Sequence, residues 1–545
     1  VTDKMPTSTH LLTDNHYLRF LDDGYIVVEP GLSPELTTRL YSRAQEIYRQ
    51  SDQLKSKTAH LELLGDNLRA QIPELDQLLS DPVVCGALTS ILGPDYILHP
   101  HHFCHRSATD QSFHQDGNLP WNERGHFRPH RPDWAMLFFY PQAVDLANGP
   151  TEVVPGSQYW TRDWEKPDGT WHPNDPLDRS YRPSPDDDDE ADRRISAAID
   201  KLGIPDLERR FVQVPRGSAV VASYDLVHRG SRVKGECDER FMYKFYFART
   251  RTPTRPAWQH TGTPTFDAVR PAIAPVVRAM WSWSIGPSMS AVGAAADPHS
   301  DDAEHPADDD TLHLSTGRED ERVAAAYRLG GRANTDPQSL AALANAITDE
   351  AESTRRAATY GLRQAGGCAT PALFNALRST RPGPRRMAAW ALGNLDTEAT
   401  PDVLAALIDT LCNDTDDLAR SNAAYGLGQV LRQTGNDLAH VIDTLLDRLK
   451  PSVERPNTSS ALMVRSTVRE SIAYALTLAA VNQTFSAEQI KRLIDSGFSG
   501  DARYVHGLIV EAIAHQTLPA DCVARVLEFL AGKRYCMRPQ IAEPV

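Results

Sequence analysis

One phrase of small residues built around a large anchor recurs down the second half of the chain. It reads Val-Ala-Ala-Ala-Tyr-Arg-Leu-Gly at 323–330, Ala-Ala-Thr-Tyr-Gly-Leu at 357–362, Met-Ala-Ala-Trp-Ala-Leu-Gly at 387–393 and Asn-Ala-Ala-Tyr-Gly-Leu-Gly at 422–428. A looser copy stands at 472–476. The anchors Tyr327, Tyr360, Trp390 and Tyr425 are spaced by 33, 30 and 35 residues. A turn and a second apolar helical stretch follow each copy, as at 401–408. Small residues let paired helices approach, and Leu with the aromatic fills the seam. One such pair cannot bury its own apolar face, so pairs must stack. The pattern predicts an all-α solenoid domain over 319–545, with repeats covering about 319–535. The aromatic ladder reads as a packing face rather than a cofactor site.

The first half follows other rules. Short β-rich runs alternate with Pro, Gly and Asp turns, as in Gly24–Val28, Trp134–Tyr140 and Phe241–Phe247. The last alternates bulky residues at strand spacing. These runs predict a largely antiparallel all-β core, preceded by helices at 34–49 and around 72–92. The domain is expected to span 1–287, with an insertion at about 161–210. The acidic run Asp186–Glu190 in that insertion reads first as a solvated loop, and its place between core strands makes it a candidate lid or interdomain contact. Residues 288–318 are rich in Ala, Asp, Ser, Pro and His, and read as a polar linker.

Composition narrows the function classes. The formal net charge is −15, which repels phosphate backbones, so no nucleic-acid partner is expected. No run of about 18 apolar residues marks a membrane span. The first twenty residues lack the basic-then-apolar pattern of a secretory signal. Seven scattered cysteines with no C-x-x-C argue against a disulfide framework or a zinc-thiolate site, and fit a reducing cytoplasm.

The chemistry centres on Ser112-Phe-His114-Gln-Asp116-Gly117. In a strand, alternate residues share a face, so His114 and Asp116 can meet one metal ion while Gln115 points away. A second histidine must come from elsewhere, and His228, between two apolar runs, is the candidate. Two histidines and one carboxylate on one face of an octahedron leave three open positions. That is the ligand set of non-haem Fe(II) oxygenases. His126 and His130, in a Pro/Arg-rich loop, are weaker rivals.

Over most of residues 16–250 the chain resembles the phytanoyl-CoA dioxygenase-like family of Fe(II)/2-oxoglutarate oxygenases. The resemblance rests on Tyr17–Gly31, on Asn148-Gly-Pro-Thr-Glu-Val-Val-Pro-Gly-Ser157, and on the order of the three ligands. The C-terminal array is similar to HEAT-type repeats. The family implies a double-stranded β-helix, a cupin-like jelly roll with flanking helices. It implies Fe(II), 2-oxoglutarate and O₂ as cofactors, with succinate and CO₂ released. It also implies a basic residue for the far carboxylate of 2-oxoglutarate, a task suited to the planar fork of arginine. Arg240, twelve residues beyond His228, stands in that place, with Arg232 and Arg249 as rivals. An inserted residue at Arg229 would put Ser231 where the family often contacts the same carboxylate. Halogenating relatives lack the carboxylate ligand, so Asp116 points to hydroxylation, desaturation or ring chemistry.

His99, His101, Phe103 and His105 share one face of the preceding strand if that strand is regular. His101, Phe103, His105, Trp121, Trp134 and Tyr140 are therefore candidates to line the substrate pocket, with aromatic core packing the competing role. The expected reaction is hydroxylation of an unactivated C–H bond of a small metabolite, in natural-product biosynthesis. Two alternatives stand beside it. The solenoid could recruit a protein-borne substrate, such as a carrier-protein thioester or a peptide. The whole chain could also be a non-catalytic scaffold.

Overall fold

Antiparallel pairing organises the first half of the chain. In the computed structural model the described residues are 10–55, 60–107, 110–116, 128–162, 175–177, 181, 184, 187, 189–262, 264–287, 306–433, 438–450, 467–500 and 502–532. Their strands are β1 (Tyr25–Val28), β2 (Ile97–Arg106), β3 (Trp134–Phe139), β4 (Thr151–Val153), β5 (Arg210–Val212), β6 (Ala219–Ser223), β7 (His228–Gly230) and β8 (Phe241–Ala248). Five form one sheet in the order β1-β6-β3-β8-β2, and three form a second in the order β5-β4-β7. Every strand pair is antiparallel.

The alternation within β8 sets the two faces of the larger sheet. Phe241, Tyr243 and Phe245 belong to one face. There Phe241 packs on the rings of Tyr41 and Tyr48, and the Tyr243 hydroxyl donates to Leu40 O at 2.7 Å. Those partners lie on the helix Pro34–Leu54, which starts with Pro at its first turn and Ser33 accepting from Leu36 N–H. Arg240, Met242, Lys244 and Tyr246 take the opposite face, toward the smaller sheet. The helix expected near 72–92 is divided into Leu75–Leu79 and Pro82–Leu92, because Pro82 opens a new helix capped by Asp81.

The second half is helical, as the repeats require. Capping side chains mark several starts: Thr400 before Pro401–Asn413, and Ser486 with Gln489 around Ala487–Gly497. Small residues seat adjacent repeats at backbone distance. A side chain on Gly393 would collide with Gly426.

One expectation needs correction. Within 288–318, residues 288–305 lie outside the described set, but Ala307–Thr316 is a helix rather than linker. Its Asp310 is fully buried and takes Arg328 at 2.6 Å and Arg332 at 2.5 Å, so tertiary ion pairs order a segment whose composition suggested none. In the acidic run, Asp186 and Asp188 lie outside the described residues. Asp187 accepts from the backbone of Asp189 and Glu190 at 3.0 Å, in the turn just before the helix Glu190–Leu202. That helix docks on the smaller sheet, where its Asp192 meets Arg229 at 2.6 Å.

The two halves are not joined by a tether alone. One continuous cluster of buried apolar residues runs from Leu12 through the sheets to Leu530. Polar bonds cross with it: Arg131 reaches Asn394 O at 3.1 Å and Asp396 at 2.5 Å, and Arg432 pairs with the buried Asp133 at 3.0 Å. No helix of the described residues is long and apolar enough to cross a membrane.

Candidate metal centre

β7 begins at His228, and a short extended stretch lies against it. His114 and His228 exchange both backbone hydrogen bonds at 3.0 Å, and Gln111 N–H donates to Gly230 O at 2.9 Å. This pairing puts the two imidazoles side by side, with ring centroids 4.6 Å apart. Asp116, two residues on from His114, turns to the same place. Its carboxylate lies 3.8 Å from Nε2 of each histidine, and one ligand atom from each of the three residues falls within 4.8 Å of the others.

The neighbours fix how these donors present themselves. His114 Nδ1 lies 2.9 Å from Ser112 O, and His228 Nδ1 lies 2.8 Å from Leu226 O. A carbonyl can only accept, so Nδ1 carries the proton and Nε2 offers its lone pair inward. Lys244 Nζ sits against that lone pair, 3.1 Å from His228 Nε2 and 2.5 Å from Asp116 Oδ2. Tyr246 OH donates to the same carboxylate oxygen at 3.1 Å. The donor set therefore already converges on a positive charge. Two neutral imidazoles and a carboxylate, all aimed at one cation, suit a divalent metal with positions left open.

Arg240 is a second feature of the same sheet face. Its side chain is buried, yet Nε and Nη1 have no hydrogen-bond partner among the described residues. The Tyr140 ring centroid lies 6.0 Å from its guanidinium carbon. Burial lowers its pKa, with only the weak acids Tyr140, Tyr48 and Cys104 opposing. A buried guanidinium without a carboxylate is costly unless an anion joins it. The rivals are spoken for: Arg232 pairs with Asp110 at 2.6 Å, and Arg249 donates to Ile91 O at 2.5 Å and Pro132 O at 3.2 Å. Ser231 is buried nearby in sequence, but its hydroxyl donates to Pro150 O at 2.7 Å. It would meet an incoming carboxylate only by giving up that bond.

The remaining candidates divide. Phe103 and His105 lie opposite Lys244 and Met242 in the β2–β8 ladder, on the metal-side face. Burial, with Lys244 next, pushes the His105 imidazole down to about 3, so it stays neutral beside the cation site. β2 is irregular between Leu98 and His102, yet the His101 ring still meets that of Tyr246 at a tilt, 5.2 Å between centroids. Trp134 packs on His99 at 5.5 Å and on Tyr474 of the solenoid at 5.2 Å. Tyr140 bonds Thr151 at 2.7 Å. Trp121 and His126 lie outside the described residues. His130 sits away from the ligands, between Tyr327 and Tyr360. Gln115 donates to Asp225 O at 2.6 Å.

Sequence reasoning missed Lys244, Tyr246 and Arg128. Lys244 left a trace, since a lysine inside an apolar strand, four residues from Arg240, must share its face. Arg128, whose Nη1 donates to Asp116 O at 2.8 Å, left none.

Residues 20–242 match the family model described as Phytanoyl-CoA dioxygenase (PhyH), and residues 341–428 and 370–464 match HEAT repeats. No curated protein matches the chain. Among solved structures, a non-heme monooxygenase, ThoJ, in its nickel complex is 14% identical, with 50% of this chain and 98% of that chain covered and a TM-score of 0.30. EctD from S. alaskensis with bound Fe is 15% identical, covering 48% and 84% at 0.31. HygX from Streptomyces hygroscopicus with nickel and 2-oxoglutarate is 15% identical, covering 47% and 93% at 0.29.

Proposed function

With residues 20–242 a phytanoyl-CoA dioxygenase domain and HEAT repeats behind it, we propose that the chain is an Fe(II)- and 2-oxoglutarate-dependent oxygenase that hydroxylates a C–H bond of a small molecule. The observation that carries this reading is the convergence of His114 Nε2, His228 Nε2 and the Asp116 carboxylate, with both Nδ1 atoms turned to carbonyl oxygens. The two antiparallel sheets that flank this centre suit the double-stranded β-helix of that family.

Bound Fe(II), with 2-oxoglutarate and O₂, would supply the oxidising power, releasing succinate and CO₂. The protein's part is binding and placement. His114, Asp116 and His228 hold the metal and leave open positions. Arg240 takes the far carboxylate of 2-oxoglutarate, which gives its buried Nε–H and Nη1–H an acceptor. Tyr246 orients Asp116 through Oδ2. Phe103, neutral His105 and Phe138 give the metal-side face an uncharged wall toward substrate. A small metabolite from a biosynthetic pathway is the substrate class we favour.

The test is anaerobic. The purified chain is loaded with Fe(II), given 2-oxoglutarate, and its visible metal-to-ligand charge-transfer absorption recorded, with His228→Ala in parallel. A band in the wild type that is lost in the variant is expected. A folded, iron-loaded wild type without a band would overturn the proposal.

A further inference from the structure

A helical solenoid ordinarily offers an open face to other chains. Here much of that face is taken by the oxygenase half, and the contacts lead to one residue. Tyr360, on the helix Glu352–Ala365, accepts a hydrogen bond from Arg128 N–H at 3.1 Å. Arg128 in turn donates through Nη1 to Asp116 O at 2.8 Å and to Asp225 Oδ1 at 3.2 Å. The ring of Tyr360 lies on His130 at 3.7 Å, Tyr327 OH meets His130 Nδ1 at 2.9 Å, and Arg363 donates to Pro129 O at 2.5 Å. The segment 128–130 is thus held from one side by solenoid side chains and from the other by Asp116, Asp225 and Tyr159.

A second line arrives from the far end of the array. Tyr504, on the helix Arg503–Ala514, has its hydroxyl 2.6 Å from His101 Nδ1. The His101 ring lies 5.2 Å from that of Tyr246, which donates to Asp116 Oδ2. This helix sits on β2 at backbone distance, because a side chain on Gly507 would collide with Pro100.

We propose that the HEAT-type array is a positioning part of the metal centre, holding Asp116 from two directions: its backbone through Tyr360 and Arg128, its carboxylate through Tyr504, His101 and Tyr246. The proposal rests on the metal-site reading given above. Each link is an ordinary hydrogen bond or ring contact. Their effect is large because a ligand must be kept within about 0.5 Å of its working place, and loss of an outer-shell partner typically costs 10–100-fold in metal affinity. Tyr360 and Tyr504 are positioning residues that act on Asp116 through other residues.

The experiment uses the full-length chain and Co(II) as the probe, read by calorimetric affinity and by the d–d absorption spectrum. The variants are Tyr360→Phe, Tyr504→Phe and the double substitution. Asn482→Ala is the control, since Asn482 crosses the same interface to Thr250 O at 3.1 Å without leading to Asp116. The double variant is expected to bind Co(II) about 10-fold or more weakly, with a shifted d–d spectrum. Asn482→Ala should lower the melting temperature and leave affinity and spectrum as in the wild type. Tyrosine variants with wild-type affinity and spectrum would overturn the proposal. So would an Asn482→Ala effect equal to theirs, which would reduce it to general loosening of the interface. A wild type that binds no Co(II) would overturn the metal centre itself, and this inference with it.

Discussion

Arg240 and Lys244 share a strand face and carry the same charge, but they face opposite needs. Arg240 is buried, and its Nε and Nη1 have no hydrogen-bond partner among the described residues, which suits the anion-binding role proposed for it. In the proposed 2-oxoglutarate complex, replacing it with Met would remove at least two charge-assisted hydrogen bonds to a carboxylate, each contributing about 1.5–3 kcal/mol. Arg240→Met should weaken 2-oxoglutarate binding about 100-fold or more and leave Co(II) affinity nearly unchanged; equal losses of both would place Arg240 in support of the metal instead. Lys244 already has its anion, Asp116 at 2.5 Å, and it stands 3.1 Å from His228 Nε2. Its ammonium and a divalent metal compete for the same electron-rich site. Lys244→Met should therefore tighten Co(II) binding by about 10-fold or more while lowering the melting temperature of the metal-free chain. Weaker Co(II) binding would show that Lys244 helps Asp116 more than it opposes the metal. The contrast also shows what was legible. His114 and Asp116 could be paired from spacing because a strand repeats every two residues. Whether a buried cation is satisfied depends on neighbours far along the chain, and no local pattern records that.

Among the elements, the segment 128–134 shows the same gap between pattern and place. Its Pro, Arg and His residues read as loop, and its histidine as a weak rival ligand. In the fold it is a buried strip between sheet and solenoid. His130 adopts a positive φ of 57°, a conformation that Asn also tolerates. Tyr159 from the oxygenase half and Tyr327, Tyr360, Arg356 and Arg363 from the solenoid surround it. Burial first, then the two arginines, hold its imidazole well below the usual histidine range. A depressed histidine favours the docked state at pH above about 6.5, where the opened state is neutral too. As pH falls below that value the opened state takes up a proton that the docked state refuses, so stability is lost, with a limiting slope of about 1.4 kcal/mol per pH unit. His130→Asn keeps the backbone conformation and cannot titrate. Its urea midpoint should fall less than that of the wild type between pH 7 and 5, and parallel curves would remove His130 from the acid response. The helix Ala307–Thr316 makes the complementary point. Three aspartates in its first turn favour a helix N-terminus, but its order depends on Arg328 and Arg332 reaching back to Asp310.

For the whole molecule, the repeat spacing revealed a solenoid and the strand runs revealed a β-sheet half, so the two grammars were readable. Their relation was not. The anchors looked like filling between repeats, and Tyr360 does meet Trp390 edge-on at 5.7 Å. Yet Tyr327, Tyr360 and Tyr474 also pack against the oxygenase half, because one apolar cluster spans both. A shared core ties the unfolding of the halves together. Opening the interface would also separate Asp133 from Arg432 and Arg131 from Asp396. Co(II)-loaded protein titrated with urea should then lose its d–d band and its helical far-ultraviolet signal at the same midpoint, although the band reports the metal centre and the helical signal mostly the solenoid. Coincident probes are the mark of one cooperative unit. Cobalt at about 100 times its dissociation constant should move both midpoints upward together, by about 2.7 kcal/mol of added stability. A band lost well before the helices would mean that the solenoid stands without the metal centre, and that the shared core joins two independently stable bodies.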